Sequence, residues 1–483
     1  MSESVSETTI DVMVATQISQ RDYSITGPES AAAIENGMAN GQWFQASIDP
    51  ARLSELTKRS DGRAALDMTV WVALIIGSGV LAWTVRDSWW AVPAFLVYGA
   101  LYGGTSDARW HECGHGTAFR TPFLNDLFYY PACFMLARQA MFWRWSHFRH
   151  HTDTIVRGRD NEIVFRRPAS FGRTILMFSN VKHGPQAMWS TLKTAFGTVD
   201  EVAAELIPVE DHPRLVRQAR VFVAIWAAAI ILSLVTLSPW PVLFIGGPTI
   251  YGAWLVVFFG LTQHAGLQEN VLDHRFSTRT VLMNPVFRFL YLNMNYHVEH
   301  HMFPSVPYHA LPKLHAEIRD QLAPPNPNTI HAYAEIINAF KHQRVDPDWE
   351  IPNRAVPDVP GQRNQIVQVV QWASEDGRTD LGPADLEPTQ IRAVQVDGVD
   401  FVLARTENGH HVLADRMCTH GDADLSQGLV LGCEIECPKH NGRFDLLNNG
   451  APTRKPVREP LGVRTVSVLN GRLILDVDPT RSR

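Results

Sequence analysis

Eight of the chain's 20 histidines fall in three short clusters. They read HECGH (His111, His115), HFRHH (His147, His150, His151) and HVEHH (His297, His300, His301). In each cluster the first histidine is followed by others three or four positions on, which on a helix stacks the imidazoles along one face. Converging imidazoles suit zinc, copper, iron and nickel alike, so ligand type does not choose the metal. A lone histidine is usually a packing or surface residue, but eight in three clusters are poorly explained that way. Eight nitrogen donors exceed what one ion takes, so the pattern implies two metals. A different set stands near the C-terminus: Cys418-Thr-His420, then sixteen residues, then Cys437-Pro-Lys-His440. Two Cys–His pairs fit either a zinc site or an iron–sulfur cluster held half by thiolate and half by imidazole.

Something must carry these groups. Of the 483 residues 45% are hydrophobic, and they are clustered. Four apolar stretches hold no charged side chain: Met68 to Val85, Trp89 to Gly104, Val221 to Leu237 and Trp240 to Leu261. Each comes near the roughly 20 residues a membrane-spanning helix needs. Only RDS separates the first two and SP the last two, so each pair predicts a tight helical hairpin. Residues 105–220 carry fifteen Lys and Arg, against Arg86 alone in the short turns. The positive-inside rule therefore puts all three histidine clusters and the C-terminal part on the cytoplasmic side, with Trp89, Trp90 and Trp240 at the far interface.

Residues 343–365 are polar and hold four prolines, the pattern of a semi-rigid linker. Beyond them the apolar period shortens toward two, and Asp-Gly or Asn-Gly interrupts AVQVDGVDFVLA, LARTENGHHVLA and VRTVSVLNGRLILDV. These are hairpin signals and predict a small all-β domain over 366–478. Upstream, SIDPARLSELTKR predicts a short helix with Asp49 at the N-cap and Pro50 in the first position. A net charge of −6 and the lack of a basic run argue against nucleic acid as a partner. Five cysteines are too few for a disulfide scaffold, and MSESVSETTIDV has no basic-then-apolar leader.

The order HxxxH, HxxHH, HxxHH, with one hairpin before the first cluster and another between the second and third, resembles the membrane fatty-acid desaturase and hydroxylase superfamily over residues 65–325. NYHVEHHMFPSVPYHALPKLH is similar to the acyl desaturases, and WRWSHFRHHTDTIVRGRDNEI to the rhizopine-oxygenase branch. The resemblance implies a non-haem di-iron centre that activates O2, ligated by His111, His115, His147, His150, His151, His297, His300 and His301. It adds His264, in LTQHAG, as a ninth ligand. Glu112, Asp153 and Glu299, within or beside the clusters, are candidates to orient these histidines.

The CxH…CxxH spacing, with CPKHNGRFD and an NNG turn, resembles Rieske [2Fe–2S] domains. That implies Cys418 and Cys437 on one iron and His420 and His440 on the other. The extra loop cysteines of high-potential Rieske proteins are missing, and Gly442 and Phe444 replace their hydrogen-bonding Ser and Tyr, which implies a low potential.

The expected architecture is an α-helical integral membrane domain followed by a small all-β Rieske domain. The membrane domain has four transmembrane helices in two hairpins plus cytoplasmic helices. The boundaries are 1–64 for an N-terminal cytoplasmic segment, 65–342, a linker over 343–365, and 366–478. The expected activity is O2-dependent fatty acyl desaturation. The alternative is hydroxylation or O- or N-demethylation of a smaller substrate, as in rhizopine oxygenase. No GxGxxG follows a strand, so a separate NAD(P)H-dependent ferredoxin reductase is expected as partner. The expected location is a bacterial inner membrane, with the catalytic and Rieske parts on the cytoplasmic side.

Overall fold

The computed structural model describes residues 21–475 apart from 40, 353, 360, 362–367, 371–377 and 422. Eight helices carry the argument: α1 (Asp61–Thr84), α2 (Ala91–Gly99), α3 (Ser106–His115), α4 (Ala140–Thr152), α5 (His212–Val235), α6 (Trp254–His264), α7 (His297–Met302) and α8 (Thr329–Gln343). α1 begins at Ser60, whose hydroxyl accepts from the Arg63 N–H at 3.3 Å. With 24 residues, α1 and α5 are each about 36 Å long. They supply the helices long and apolar enough to cross a membrane among the described residues. Ile76, Val80 and Leu81 of α1 and Ile230, Ile231 and Leu234 of α5 are exposed, the inverse of a helix that packs in water.

The sequence pattern predicted four such helices, and the second and fourth stretches are interrupted. The second becomes α2 and a π-helical turn over Ala100–Gly104, which lead into α3 with the first histidine cluster. The fourth is cut into Trp240–Phe244, Pro248–Tyr251 and α6. The break falls at Gly246-Gly247-Pro248, where Gly246 sits at φ 91° and proline has no N–H to extend a helix. In an apolar surround each freed carbonyl would cost several kcal/mol unless paired. Side chains pair them: Tyr98 Oη donates to the Phe244 carbonyl at 3.1 Å, Tyr251 Oη to Leu243 at 2.8 Å and Asn180 Nδ2 to Thr249 at 2.8 Å. The two interrupted stretches cross at Gly99 and Gly252, where a Cβ on Gly252 would strike the Gly99 backbone.

Upstream, Asp49 caps the helix Pro50–Leu56 as its sequence predicted, accepting from the Arg52 N–H at 2.9 Å. Such a cap contributes about 1 kcal/mol. After α8 the chain runs back along the helical part. Arg354 donates to the Thr278 carbonyl at 2.8 Å and Arg275 to the Pro357 carbonyl at 3.0 Å.

The C-terminal part is all β. Its strands are β1 (Gln368–Val370), β2 (Thr379–Pro383), β3 (Ile391–Val396), β4 (Val399–Arg405), β5 (His411–Asp415), β6 (Leu429–Leu431), β7 (Glu434–Glu436), β8 (Arg443–Asp445), β9 (Ala451–Arg454), β10 (Val463–Leu469) and β11 (Arg472–Leu475). Among the described residues they form a sheet in the order β1-β3-β4-β5-β10-β11-β2 and a four-stranded sheet β6-β7-β8-β9. The two-residue turns are the predicted ones. Asp397-Gly398 joins Val396 to its partner Val399, and Asn470-Gly471 joins Leu469 to Arg472. All four turn residues have positive φ, which Asn, Asp and Gly accept most readily. β4 is buried on both faces: Phe401 and Leu403 enter one core, Val402 and Ala404 the other. That second core backs the loops holding Cys418 and Cys437.

Candidate metal centre

The three clusters lie on α3, α4 and α7, as their i, i+3 and i+4 spacing requires. α3 reaches its position through the π-helical turn and ends at Gly116, left-handed at φ 67°. His264 is the last residue of α6. The fold brings all nine histidines together in two groups, each with ligand atoms within 4.8 Å of one another. His111, His115, His147, His151 and His300 form one; His150, His264, His297 and His301 form the other. In the first, the Nε2 atoms of His111 and His300 are 2.7 Å apart, His115 and His147 3.0 Å, and His151 and His300 3.2 Å. In the second, Nε2 of His297 lies 3.1 Å from that of His264 and 3.2 Å from that of His301.

Nitrogens about 3 Å apart are what neighbouring ligands show around an ion bound at about 2.0–2.1 Å. Burial, and then neighbouring histidines, hold His111, His147, His151, His297, His300 and His301 far below the usual imidazole range. They stay neutral and keep a lone pair to donate, so the donor set fits two metal ions.

Three groups fix which nitrogen is offered. His264 Nδ1 donates to the Ser277 carbonyl at 2.9 Å. His150 Nδ1 meets Asp160 Oδ2 at 2.8 Å, and His147 Nδ1 meets Glu162 Oε2 at 3.3 Å. Burial disfavours a charged His150, and the Asp160 carboxylate opposes that by holding the proton on Nδ1. Asp160 is held by the N–H groups of Ile155 and Glu162, both at 2.8 Å.

The carboxylates singled out from sequence do other work. Glu112 accepts from Thr117 Oγ1 at 2.7 Å and from the Tyr308 N–H at 3.2 Å, tying α3 to the loop after α7. Glu299 holds Thr280 at 2.6 Å and pairs with His315. Asp153 pairs with Arg159 at 3.1 Å. His274 and His315, which match no cluster, also pack here: His274 is 5.0 Å from the His301 ring and stacks on Trp43 at 4.2 Å. Sequence reasoning missed Asp160 and Glu162. The signal was RDNEI, a short acidic run just past the second cluster.

A cavity of about 710 Å³ reaches this centre, lined by His111, His147, His150, His264 and His297. Leu176, Met177, Val256 and Val257 make its apolar wall, and Arg166, Arg173 and Lys182 add positive charge. The helix Phe171–Ser179 forms part of that wall, with Ile175 and Leu176 exposed.

In the β domain the thiols of Cys418 and Cys437 face each other. His420 Nδ1 and His440 Nδ1 face each other at 3.2 Å. Two facing pairs suit a two-iron cluster with thiolate on one iron and imidazole on the other. Cys433 is half-buried and spends its carbonyl on the Leu446 N–H at 2.9 Å.

The β domain sits on the helical one. Arg59 pairs with the fully buried Glu436 at 2.6 Å, Asn441 donates to Ser305 Oγ at 3.0 Å, and Lys455 pairs with Asp211. Arg454 donates to the His115 carbonyl, and Thr152 Oγ1 meets His440 Nε2. Burial opposes the Glu436 charge, but Arg59, Arg443 and Arg454 overrule it and hold the carboxyl at about 2.

Two family profiles match separate parts of the chain. The profile described as fatty acid desaturase matches residues 87–333, and the Rieske [2Fe-2S] domain profile matches 380–467. The ferredoxin component of the naphthalene 1,2-dioxygenase system of Pseudomonas putida is 33% identical over 108 residues, covering 22% of this chain and 97% of its own. Ferredoxin CarAc of Metapseudomonas resinovorans is 37% identical over 91 residues, 19% of this chain and 83% of its own. A chain from the solved complex of reduced oxygenase and oxidized ferredoxin in carbazole 1,9a-dioxygenase is 35% identical. It matches 20% of this chain and 96% of that one, with a TM-score of 0.18.

Proposed function

Because the chain belongs to the fatty acid desaturase family and carries a Rieske [2Fe–2S] domain behind it, we propose that this O2-dependent oxidoreductase desaturates an acyl chain at a membrane, with electrons from its own Rieske cluster. The cavity carries this reading. It has an apolar wall, basic residues and five of the nine gathered histidines, which suits a substrate with an apolar chain and an anionic end.

The two histidine groups would hold two iron ions, and Cys418, Cys437, His420 and His440 the [2Fe–2S] cluster. With iron bound, such a centre supplies a two-electron oxidation of an unactivated C–H bond coupled to reduction of O2. The protein's own part is to prepare the site. Asp160, Glu162 and the Ser277 carbonyl hold Nδ1 protons and turn Nε2 toward the centre. The apolar wall excludes water and aligns a chain, and Arg166, Arg173 and Lys182 hold its anionic end. For desaturation the balance is one CH2–CH2 unit, O2, two electrons and two protons giving one double bond and two waters. Those electrons come from a separate NAD(P)H-dependent reductase.

In this reading α1 and α5 span a bacterial inner membrane, and the two interrupted stretches complete their hairpins. The basic segment 105–220 keeps the centre and the Rieske domain on the cytoplasmic side.

A second reading, hydroxylation or demethylation of a smaller polar substrate, is favoured by Asn161, Glu162 and Arg138 in the same cavity. Acyl-profile analysis of cells with and without the protein separates the two. New double bonds support the first, and an unchanged profile overturns it. His300→Ala is expected to abolish turnover and leave the Rieske visible spectrum intact; loss of both would refute the division of labour between the domains.

A further inference from the structure

The two histidines of the Rieske pair are not equivalent. Their Nδ1 atoms face each other, so each ring presents Nε2 outward. His420 is exposed, with the Trp145 ring 6.4 Å away. His440 is buried, and its Nε2 rests on the Thr152 hydroxyl. That hydroxyl donates to the Phe148 carbonyl at 3.0 Å, so it accepts from the His440 N–H.

Thr152 is bonded directly to His151, whose Nε2 lies 3.2 Å from those of His147 and His300 in the five-histidine group. Asn441, next to His440, is buried in the same seam, and its side chain faces His115 of that group. Arg454 binds the His115 carbonyl. The histidines of the other group turn to partners within the helical domain: His150 to Asp160, His264 to Ser277 and His301 to Thr154.

We propose that the Rieske cluster discharges through His440, across the Thr152 hydroxyl to His151, into the five-histidine half of the centre. This rests on the di-iron reading above. One electron leaves the reduced cluster and converts one ferric ion to ferrous; no covalent bond forms or breaks. A reduced flavoprotein outside the chain refills the cluster for the second electron. Thr152 is a positioning residue that couples the two metal groups, and the exposed His420 takes no part in the discharge.

The test uses the full chain loaded with ferric iron and an oxidised cluster, without O2. A flash of photoreduced deazaflavin reduces the cluster, and the return of its oxidised visible absorption reports loss of the electron to iron. Thr152→Val keeps the shape and removes the hydroxyl, and should slow that return by about tenfold or more. Thr152→Ser restores the hydroxyl and should restore the rate. Ser305→Ala removes another buried hydroxyl from the same seam and should stay within about twofold of the parent. An unchanged rate in Thr152→Val overturns the proposal, as does equal slowing by Ser305→Ala, which would mean a loosened seam. If the parent chain itself never reoxidises its cluster, the di-iron reading fails first.

Discussion

Asp160 lies ten residues beyond His150 and Glu162 fifteen beyond His147, on a loop that folds back under α4. A carboxylate there does two things to an imidazole. It fixes the tautomer, and it makes the distal nitrogen a better donor. Asp160→Asn keeps the shape but weakens the acceptor, and should lower iron affinity by about 10- to 100-fold. Metal analysis checks this: iron is lost from the histidine centre while the cluster iron stays. At the Rieske pair, the resemblance puts Gly442 and Phe444 where high-potential members carry a hydrogen-bonding Ser and Tyr, and Phe444 is buried in the core. A redox titration is expected to fall near the reducing end of the Rieske range, about −150 mV, and a strongly positive value would refute it.

The elements place these residues through close contacts that tolerate little change. Gly252 packs on the Gly99 backbone just ahead of the π-helical turn that delivers α3. Gly252→Ala should push the two stretches apart and cost about 1–3 kcal/mol, seen as a lower unfolding midpoint in detergent together with reduced iron content. α8 is anchored differently. Glu335 pairs with the fully buried Arg279 at 2.6 Å. Burial opposes the Glu335 charge, but Arg279 overrules it and holds the carboxyl below its usual 4.5. A carboxyl depressed in the folded protein contributes stability in full above pH 4.5, and that contribution fades as pH falls through the folded value. The parent protein should therefore weaken below pH 4.5, whereas Glu335→Gln should lose about 2 kcal/mol at pH 7 and titrate less steeply. Equal pH slopes in the two unfolding series would rule the pair out as a source of acid sensitivity.

At the scale of the whole molecule, the proposed fusion of donor to acceptor would replace a bimolecular encounter with a docked contact. Arg59 and Glu436 hold the seam from opposite domains, and Arg443 and Arg454 complete the charge cluster. Arg59→Ala removes the cross-domain member and should raise protease sensitivity near residues 344–361, with the Rieske spectrum unchanged.

Much of this was legible in the chain. Histidines three and four apart can share a helix face whatever surrounds them, and Cys-x-His with Cys-x-x-His can share two loops. Asp397-Gly398 and Asn470-Gly471 specify hairpins because their residues accept positive φ. These are local rules, and the sequence settles them. It also named the nine histidines that the fold gathers, eight by spacing and His264 by resemblance. What it left undetermined depends on groups far apart in the chain. Hydropathy sees an apolar run but neither the π-helical turn in the second stretch nor the carbonyls of the fourth that find Tyr98 and Tyr251, so it predicts unbroken helices for both. The sorting of nine histidines into five and four, the choice of Asp160 over Asp153, and the seating of His440 on Thr152 were decided by tertiary structure alone. Each depends on distances between elements that no spacing along the chain encodes.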